Sequence, residues 1–182
     1  MSLPKFGIAL SFQVHRGLGE SWDSSYRESI ELAGEANRLG FDSIWASEHH
    51  GEADGYCPSP VVACAALAVA APICRIGQAV ALAPLHGHPL RLAEDLSVLD
   101  NLSGGRVEIG LGQGYRPAEF EMFGWNYKKR TTAFEEALDI LGLAWRSASR
   151  CIRESASRGT SHTAKESNWR PKRAGWASTP SG

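Results

Sequence analysis

Four short apolar runs that alternate with helix-like segments constrain the fold of this chain more than any other feature. The runs are residues 5–12, 41–46, 75–83 and 106–111, and each has the length and the branched or aromatic content of a buried strand. Strands that are separated by helices run parallel, with right-handed crossovers and with helices covering the sheet. The sequence therefore predicts an α/β protein built from four parallel (β/α) repeats.

Capping signals predict where the helices between these runs begin. Two Ser/Thr-x-x-Glu capping boxes, at residues 25–28 and 132–135, predict the starts of the first and fourth helices. Prolines at the first helical position predict that the second helix starts at Pro60, with Ser59 as its N-cap, and that the third starts at Pro89.

The second helix and the third strand are both strongly apolar. Residues 60–71 are almost wholly Ala, Val, Leu and Cys. A helix that is apolar on nearly every side is either sandwiched between other elements or placed at a subunit interface, and we expect it to be sandwiched here. Strand 75–83 is likewise expected to be buried on both faces.

The composition is that of an ordinary globular domain. The 182 residues are 43% hydrophobic and 21% charged, which suffices for one domain with its own core. The longest apolar run, 61–73, is too short to span a bilayer, and the amino terminus lacks the features of a signal peptide. We therefore expect a cytoplasmic protein that binds neither membrane nor nucleic acid. The four cysteines form no Cys-x-x-Cys pair, so free thiols are expected.

Charge is divided unevenly along the chain. Residues 1–146 carry 12 basic and 18 acidic side chains, whereas residues 147–182 carry 7 and 2 and include 8 serines. The sequence thus predicts an amino-terminal (β/α)4 domain, 1–146, and a basic, Ser-rich, disordered tail, 147–182. Because this change falls inside the fourth helix with no helix stop, it suggests truncation or a shifted reading frame beyond about Arg146.

The strongest chemical signal is the triplet Glu48-His49-His50, which directly follows the second strand. The carboxyl ends of parallel strands form the edge where α/β proteins place their sites. Adjacent side chains point to different sides, so one histidine is expected to face the pocket. A histidine can move a proton or hydrogen-bond a developing oxyanion near neutral pH. The alternative is a loop histidine that only satisfies the backbone, and strand-end placement favours the functional interpretation.

Two further patterns are weaker. Adjacent histidines rarely reach one metal ion, and His15, His86 and His88 are more simply explained as turn or cap residues, so no metal site is predicted. The glycine-rich segment 110–115 resembles a phosphate-binding loop, but it lacks the full dinucleotide motif and is followed by Tyr-Arg-Pro rather than by a helix. Its glycines would also allow a ligand ring or another backbone to approach closely. Arg116 could hold an anion or be a solvated loop residue.

Three segments of the chain carry a family resemblance. They are Trp-Ala-Ser-Glu-His-His at 45–50, Leu-His-Gly-His-Pro-Leu-Arg-Leu-Ala-Glu-Asp at 85–95, and Leu-Asp-Asn-Leu-Ser-Gly-Gly-Arg-Val-Glu-Ile-Gly-Leu-Gly-Gln-Gly at 99–114. In order and spacing, over residues 5–146, they resemble the bacterial-luciferase-like flavin-dependent monooxygenases. The resemblance implies a TIM (β/α)8 barrel, of which this chain would form the first half.

The resemblance also implies a cofactor and a reaction. The family uses reduced FMN, delivered by a separate flavin reductase, and O2 adds to the flavin to give a peroxide that oxygenates a small organic substrate. His49 lies where the family has its active-site histidine and is expected to hydrogen-bond the flavin peroxide or to transfer protons, with Glu48 and His50 in supporting roles. Related barrels use a deazaflavin for hydride transfer, which is the alternative cofactor.

A cofactor wall is implied as well. Val80 matches the backbone against which the family packs the isoalloxazine ring, and a cis peptide bond between Ala79 and Val80 is a further implication. The residues expected to contact the cofactor are Ala79, Val80, Gly112, Gln113 and Gly114. Gln113 stands where some members carry an arginine, which removes a charge partner for the phosphate. Gly112 stands where luciferase has a cysteine.

A complete barrel takes about 250 residues, so the fold is expected to be truncated. Four strands would leave the sheet open, with two unpaired edges and an uncovered inner face. These features predict weak FMN binding, little or no turnover, and a homo-oligomer formed through the second helix, the third helix or the open edges. A non-catalytic half-barrel that binds flavin or a partner subunit is the competing interpretation from a different functional class.

Overall fold

A parallel sheet of four strands forms the centre of the computed structural model, which describes residues 4–153. The strands are β1 (Gly7–Leu10), β2 (Ser43–Ala46), β3 (Arg75–Leu82) and β4 (Val107–Gly112), and they lie in the order β1-β2-β3-β4. Every neighbouring pair is parallel, with Ile44 opposite Ile76 and Gln78 opposite Ile109. The predicted α/β class with parallel (β/α) repeats is confirmed.

Five helices connect or follow the strands in the described part of the chain. They are α1 (Trp22–Arg38), α2 (Pro60–Ala70), α3 (Pro89–Ser103), α4 (Pro117–Met122) and α5 (Arg130–Arg153), and single 3-10 turns occupy Arg16–Leu18, Ala83–Leu85 and Tyr127–Lys129. The predicted starts of α2 and α3 are confirmed, although the Ser59 side chain makes no capping bond. The expectation that no helix follows the glycine-rich segment is wrong, because Pro117 starts α4 there.

The capping box predicted at the start of the first helix is wrong. Ser21 is the N-cap of α1: its hydroxyl accepts a hydrogen bond from Ser24 N–H at 3.1 Å, and Ser24 Oγ accepts one from Ser21 N–H at 3.0 Å. Ser25 instead donates to the carbonyl of Gln13 at 2.9 Å. Ser21, Ser24 and Ser25 all lie close to the start of the helix. Ser25 does not cap it, because its hydroxyl bonds to Gln13 outside the helix.

The capping box predicted for the last helix is also wrong, because the preceding turn sets the start of α5. Asn126 Oδ1 accepts a hydrogen bond from Lys128 N–H at 3.0 Å, and the turn that it caps runs directly into α5. The helix continues to Arg153, so the predicted domain boundary at residue 146 falls inside it. The remaining tail residues, 154–182, lie outside the described part of the chain.

One face of the sheet packs against the helices, and this layer is the core. The core residues occur at alternate positions along the strands and pack against apolar residues of α2, α3 and α5. This is the period-two pattern expected for a sheet with one covered face. Fully buried examples are Ile44, Ala46, Leu67, Ile76, Leu92, Leu96, Leu99 and Leu141. Each Leu or Ile side chain among them contributes roughly 1.5–3 kcal/mol through burial.

Arg106, just before β4, ties the ends of two helices to the sheet. Its guanidinium donates to the carbonyls of Ala68 at 2.8 Å and Ala71 at 2.7 Å, and its Nε donates to Ser103 O at 2.5 Å. The last carbonyls of a helix have no intrahelical partner, so a cation in this position satisfies them. Arg106 thereby fixes how α2 and α3 lie on the sheet.

The opposite face of the sheet is open. Trp45 covers part of it: its indole N–H donates to Ser43 Oγ at 2.9 Å, and its ring lies against Gly77, where a side chain would collide with it. Val80 is 41% exposed near the end of β3. The expectation that β3 is buried on both faces is therefore wrong, because the described residues supply no second layer over this face.

The outward side of α2 is also exposed. Val62 and Val69 are 70% and 76% exposed, whereas Cys64 and Leu67 are buried. The expectation that α2 is sandwiched is wrong, because its neighbours α1, α3 and β3 cover one side only. Within residues 4–153, no helix combines the length and the apolar character needed to cross a membrane.

The cysteines in the described part of the chain behave as predicted. Cys57, Cys64 and Cys74 are free and buried. Burial raises the pKa of Cys57 and of Cys64 to about 12, so these two thiols stay protonated near neutral pH and are poor nucleophiles. The side chain of Cys151 lies outside the described residues.

Candidate active site

Glu48 joins the carboxyl ends of β2 and β3. It is 3% exposed. Its Oε2 accepts a hydrogen bond from Leu82 N–H at 2.9 Å and lies 3.0 Å from Nε2 of His86, whereas its Oε1 lies 2.8 Å from Nε2 of His50. Leu82 ends β3 and His86 follows the next turn, so one buried carboxylate gathers three segments at the same edge of the sheet.

The surroundings of Glu48 keep it ionised. Burial by itself would raise its pKa, but the hydrogen bonds with His50 and His86, the charge of His86 and the Leu82 N–H outweigh this and lower the pKa to about 2. A carboxylate can only accept hydrogen bonds. Both histidines therefore present an N–H at Nε2 to Glu48.

A second buried carboxylate, Glu119, holds His49. Nδ1 of His49 lies 2.8 Å from Glu119 Oε1, which also accepts a hydrogen bond from His50 N–H at 3.1 Å. Glu119 comes from α4 and is 1% exposed, and its other oxygen, Oε2, is buried without a partner. The rings of His49 and His50 are thus directed to different carboxylates.

Aromatic rings surround the two histidines. His49 makes edge contacts with Tyr56 and Tyr115, whose ring centroids lie 4.6 and 5.9 Å from its own, and His50 makes one with Phe123 at 4.7 Å. The His49 side chain is still 17% exposed. Its ring is therefore held by its neighbours and remains open to a ligand or to solvent, as a group that exchanges protons must be.

A surface with few side chains lies on the open face of the sheet near the end of β3. A Cβ at Gly110 would lie 3.0 Å from Val80 Cγ1, and one at Gly112 would lie 2.7 Å from Val80 Cγ2. Because Ile109 and Leu111 pack toward the helices, the glycines between and after them face the open side. We call Val80, Gly110 and Gly112 the Val80 ledge.

The peptide bond at the start of this ledge is unusual. The bond between Ala79 and Val80 is cis, as the family resemblance implies. The register between β3 and β4 is irregular at the same place, between Gln78 and Ala81. The ledge is thus the point at which β3 departs from a regular strand.

Gln113, Gly114 and Arg116, which follow the ledge, make contacts within the protein. Gln113 Oε1 accepts a hydrogen bond from the Thr131 hydroxyl at 2.7 Å. Gly114 has a φ of +77° and lies against Phe120, since a Cβ there would be 2.8 Å from the ring. Arg116 is paired with Glu52. The cofactor contacts expected of Gln113 and Gly114 remain predictions.

Two site residues, Glu119 and His86, are missing from the sequence prediction. Glu119 lies in α4, and the proline that starts this helix is a signal that could have located it. His86 follows β3, so the strand-end argument used for His49 applies to it equally. His88, in contrast, is the N-cap of α3 and accepts a backbone hydrogen bond there, which agrees with its interpretation as a cap residue.

The donor groups at this edge are arranged in hydrogen-bonded pairs. Within residues 4–153, no group of three or more His, Cys, Asp or Glu side chains is placed to hold a metal ion. Glu48 and Glu119 instead accept hydrogen bonds from backbone amides and contact imidazole nitrogens. The arrangement is suited to orienting imidazole rings and to moving protons.

Comparison with known proteins places this architecture in one family. A family model described as luciferase-like monooxygenase matches residues 4–180, which extends past residue 146, where the sequence resemblance is expected to end. The 4-hydroxyprotoasukamycin monooxygenase of Streptomyces nodosus subsp. asukaensis is 32% identical over 136 residues, which are 75% of this chain and 36% of that protein.

Two solved structures share the fold. The monooxygenase RslO1 from Streptomyces bottropensis has a TM-score of 0.71 at 34% identity, over 76% of this chain and 42% of that chain. The oxygenating constituent of 3,6-diketocamphane monooxygenase from Pseudomonas putida, a type II Baeyer-Villiger monooxygenase in complex with FMN, has a TM-score of 0.70 at 27% identity, over 78% and 39%. The chain spans less than half the length of these relatives, which agrees with the predicted half of a TIM barrel. It belongs to the luciferase-like monooxygenases.

Proposed function

We propose that this chain forms the flavin-facing wall of a monooxygenase that uses reduced FMN and O2 to oxygenate a small organic substrate. The observation that carries the proposal is that an accessible, carboxylate-held histidine, His49, lies at the same edge of the sheet as the open Val80 ledge. Family membership supports a flavin cofactor. The diketocamphane protein, with which the chain shares its fold, was solved in complex with FMN.

The residues present fit the ring system of a flavin. The Val80 ledge is apolar and nearly free of side chains, and such a surface suits one face of a planar aromatic ring. When bound, FMN would supply the redox chemistry with O2. The residues that we expect to line it are Ala79, Val80, Gly112, Gln113 and Gly114. Arg116 is engaged by Glu52, so this loop arginine does not offer a free charge to the phosphate.

His49 is the residue that we expect to act on the substrate or cofactor. Its Nδ1 faces Glu119, which leaves Nε2 as the nitrogen available to a ligand. From there Nε2 can take up and return a proton, or hydrogen-bond an oxygen that gains negative charge. Glu48 and His50 support this role, because their bonds fix the loop that carries His49 to the end of β3.

Titration with FMN tests the ring site. We expect saturable binding, followed by flavin fluorescence, and we expect Val80→Asp to weaken it at least tenfold because a carboxylate would stand on the apolar ledge. Val80 is partly exposed, so the variant should fold, and Leu18→Asp is a matched control at an exposed apolar position. Absent binding, or binding that Val80→Asp leaves unchanged, would contradict the proposal.

The same titration tests the strength of binding. The sequence predicts weak binding, because the family places its phosphate-binding loops mainly in the second half of the barrel. A dissociation constant in the micromolar range or below, together with oxygenated product in the presence of NADH, a flavin reductase and O2, would overturn that prediction.

Turnover tests the role of His49. We expect His49→Asn to lower any rate of product oxygenation that the wild-type chain shows by about 100-fold or more, the effect of removing a general acid or base, with FMN binding retained. His15→Asn, at an exposed histidine, is the control.

The origin of the product oxygen tests the type of reaction. Label from 18O2 in the product supports a monooxygenase, whereas oxygen-insensitive hydride transfer would favour the deazaflavin alternative. A folded oligomer whose His49→Ala variant loses nothing would favour the non-catalytic half-barrel.

The proposed function also includes partners and a location. The diketocamphane protein is described as an oxygenating constituent, which supports a separate flavin reductase for this chain too. The exposed apolar residues on α2 and α3 support a homo-oligomer. We place the protein in the cytoplasm, where a reductase can draw on NADH.

A further inference from the structure

The bonding of Glu119 determines which groups donate to it. Its Oε1 lies 3.1 Å from His50 N and 2.8 Å from His49 Nδ1. A backbone N–H can only donate, so Oε1 is an acceptor toward His50. A carboxylate oxygen has two lone pairs and can accept a second hydrogen bond. An ionised carboxylate can only accept, so in that state the contact with His49 is an N–H at Nδ1 that donates to Oε1.

Glu119 is held rigidly in this position. Its neighbour Phe120 is 1% exposed and packs with Leu82 and Leu85 at the end of β3, and its ring lies 5.4 Å from that of Tyr127. Gly114 closes the other side of the Phe120 ring. A side chain whose own helix is anchored in this way has little freedom to leave its partner, which is the condition for orienting another residue.

The buried environment makes the bond from His49 costly to lose. Glu119 is 1% exposed, and its Oε2 is buried without a partner. An acceptor that loses a hydrogen bond in such a place keeps the full cost of its desolvation. The two hydrogen bonds at Oε1 therefore compensate for the burial of Glu119, and one of them involves the His49 ring.

In a neutral imidazole only one nitrogen carries a proton, and the bond made by one nitrogen decides the state of the other. We propose that Glu119 is a positioning residue that holds His49 with its proton on Nδ1, so that Nε2 presents a lone pair to the open side of the site. The use of that lone pair in catalysis rests on the function proposed above. The proposed tautomer of His49 does not depend on that function.

Nitrogen NMR on the full chain, labelled with 15N-histidine, tests this directly. Under conditions where His49 is neutral, we expect a protonated Nδ1 and an unprotonated Nε2. Glu119→Met removes the acceptor but keeps a long unbranched side chain, so both tautomers should appear. Glu119→Gln retains a carbonyl oxygen that His50 N–H can orient, so the wild-type tautomer should persist. Glu121→Met, on the exposed side of α4, should change nothing.

Several results would overturn the proposal. Wild-type His49 with its proton on Nε2 would do so by itself, even if Glu119→Met failed to fold. A folded Glu119→Met variant that keeps only the wild-type tautomer would do so as well, because Glu119 would then not be the cause. Unchanged ring signals of His86, which bonds to Glu48 and not to Glu119, show that the rest of the site is intact in that variant.

The spectrum also separates this proposal from the proposed function. If the wild-type tautomer is as expected but FMN does not bind, the flavin function fails and the positioning role stands. If FMN binds and Glu119→Gln lowers kcat at least tenfold with unchanged FMN affinity, the charge of Glu119 also matters when His49 is protonated. If Glu119→Met shows both tautomers but keeps the wild-type turnover, the tautomer proposal stands. The claim that the lone pair on Nε2 is used in catalysis would then be overturned.

Discussion

At the residue scale, Glu48 links the chemistry of the site to the stability of the fold. Its pKa is lowered to about 2 from an ordinary value of 4.5, so the folded protein favours the ionised form more than the unfolded chain does. The resulting stabilisation is present in full above about pH 5 and is lost as the pH falls toward 2. A shift of this size corresponds to on the order of 3 kcal/mol.

We predict that Glu48→Gln removes this part of the acid sensitivity. Urea unfolding between about pH 2 and pH 7 should show a free energy of unfolding that falls steeply below pH 5 in the wild type and less steeply in the variant. At pH 7 the variant should be less stable by about 2–4 kcal/mol, because a neutral amide replaces a charged acceptor. The exposed Glu121→Gln should keep the wild-type profile. An unchanged acid profile in Glu48→Gln would refute this account.

The residue scale also shows how far local sequence signals reach. The prediction that Glu48, His49 and His50 form a functional triplet depends only on their place after a strand, and the structure brings all three to the carboxyl edge. Their partners are 34, 38 and 70 residues away, at Leu82, His86 and Glu119. No periodicity connects residues at such separations, so the partners could not be assigned from spacing.

At the element scale, the short helix α4 matters more than its six residues suggest. Its position depends on Gly114, whose φ of +77° turns the chain after β4 and whose missing side chain admits the Phe120 ring. Glu119 is next to Phe120 and reaches His49 only if this packing holds. The glycine-rich segment therefore acts on the site through α4 as well as through the open ledge.

We predict that Gly114→Ala displaces α4 and loosens the bond between Glu119 and His49. Gly124→Ala is the matched control, because Gly124 also has a positive φ, +69°, but has open space around it. Both variants should lose about 1 kcal/mol from the backbone strain. Only Gly114→Ala should lose more and shift the His49 ring signals in NMR spectra. Equal effects of the two substitutions would show that the contact with Phe120 does not matter.

At the scale of the whole molecule, the described part of the chain leaves two apolar surfaces uncovered. One is the open face of the sheet, which carries the Val80 ledge. The other runs along α2 and α3, where Val62, Val98 and Leu102 are exposed around a groove of about 620 Å³. Exposed patches of this kind usually mark interaction sites.

We predict that the α2/α3 surface drives self-association. Sedimentation equilibrium should show an oligomer for the wild type and a shift toward monomer when Val62 and Val98 are both replaced by Glu. Both positions are more than half exposed, so the fold should tolerate the charges. Leu18→Glu, also exposed, should leave the oligomer unchanged. A wild-type chain that sediments as a monomer would contradict the prediction.

The sequence by itself determined the four strands and four of the five helices in the described part of the chain, and their order, but not the short helix α4. The period of its apolar residues specified parallel strands with covering helices, and the place of the Glu48 triplet after β2 located the edge that carries the chemistry. These are properties of neighbouring residues, which short-range sterics and burial control. The sequence determined the helix starts less well. A serine that could cap α1 can bond outside the helix instead, as Ser25 does with Gln13.

Only the tertiary structure decided how the site is assembled. It paired His49 with Glu119, shared Glu48 between His50 and His86, and placed Val80 on an open face rather than in a buried strand. Each of these depends on contacts between residues far apart in the chain, whose geometry is set by the packing of α4 and β4 against the ends of β2 and β3. Local patterns carry no information about that packing, so the chemistry of His49 became specific only in the folded chain.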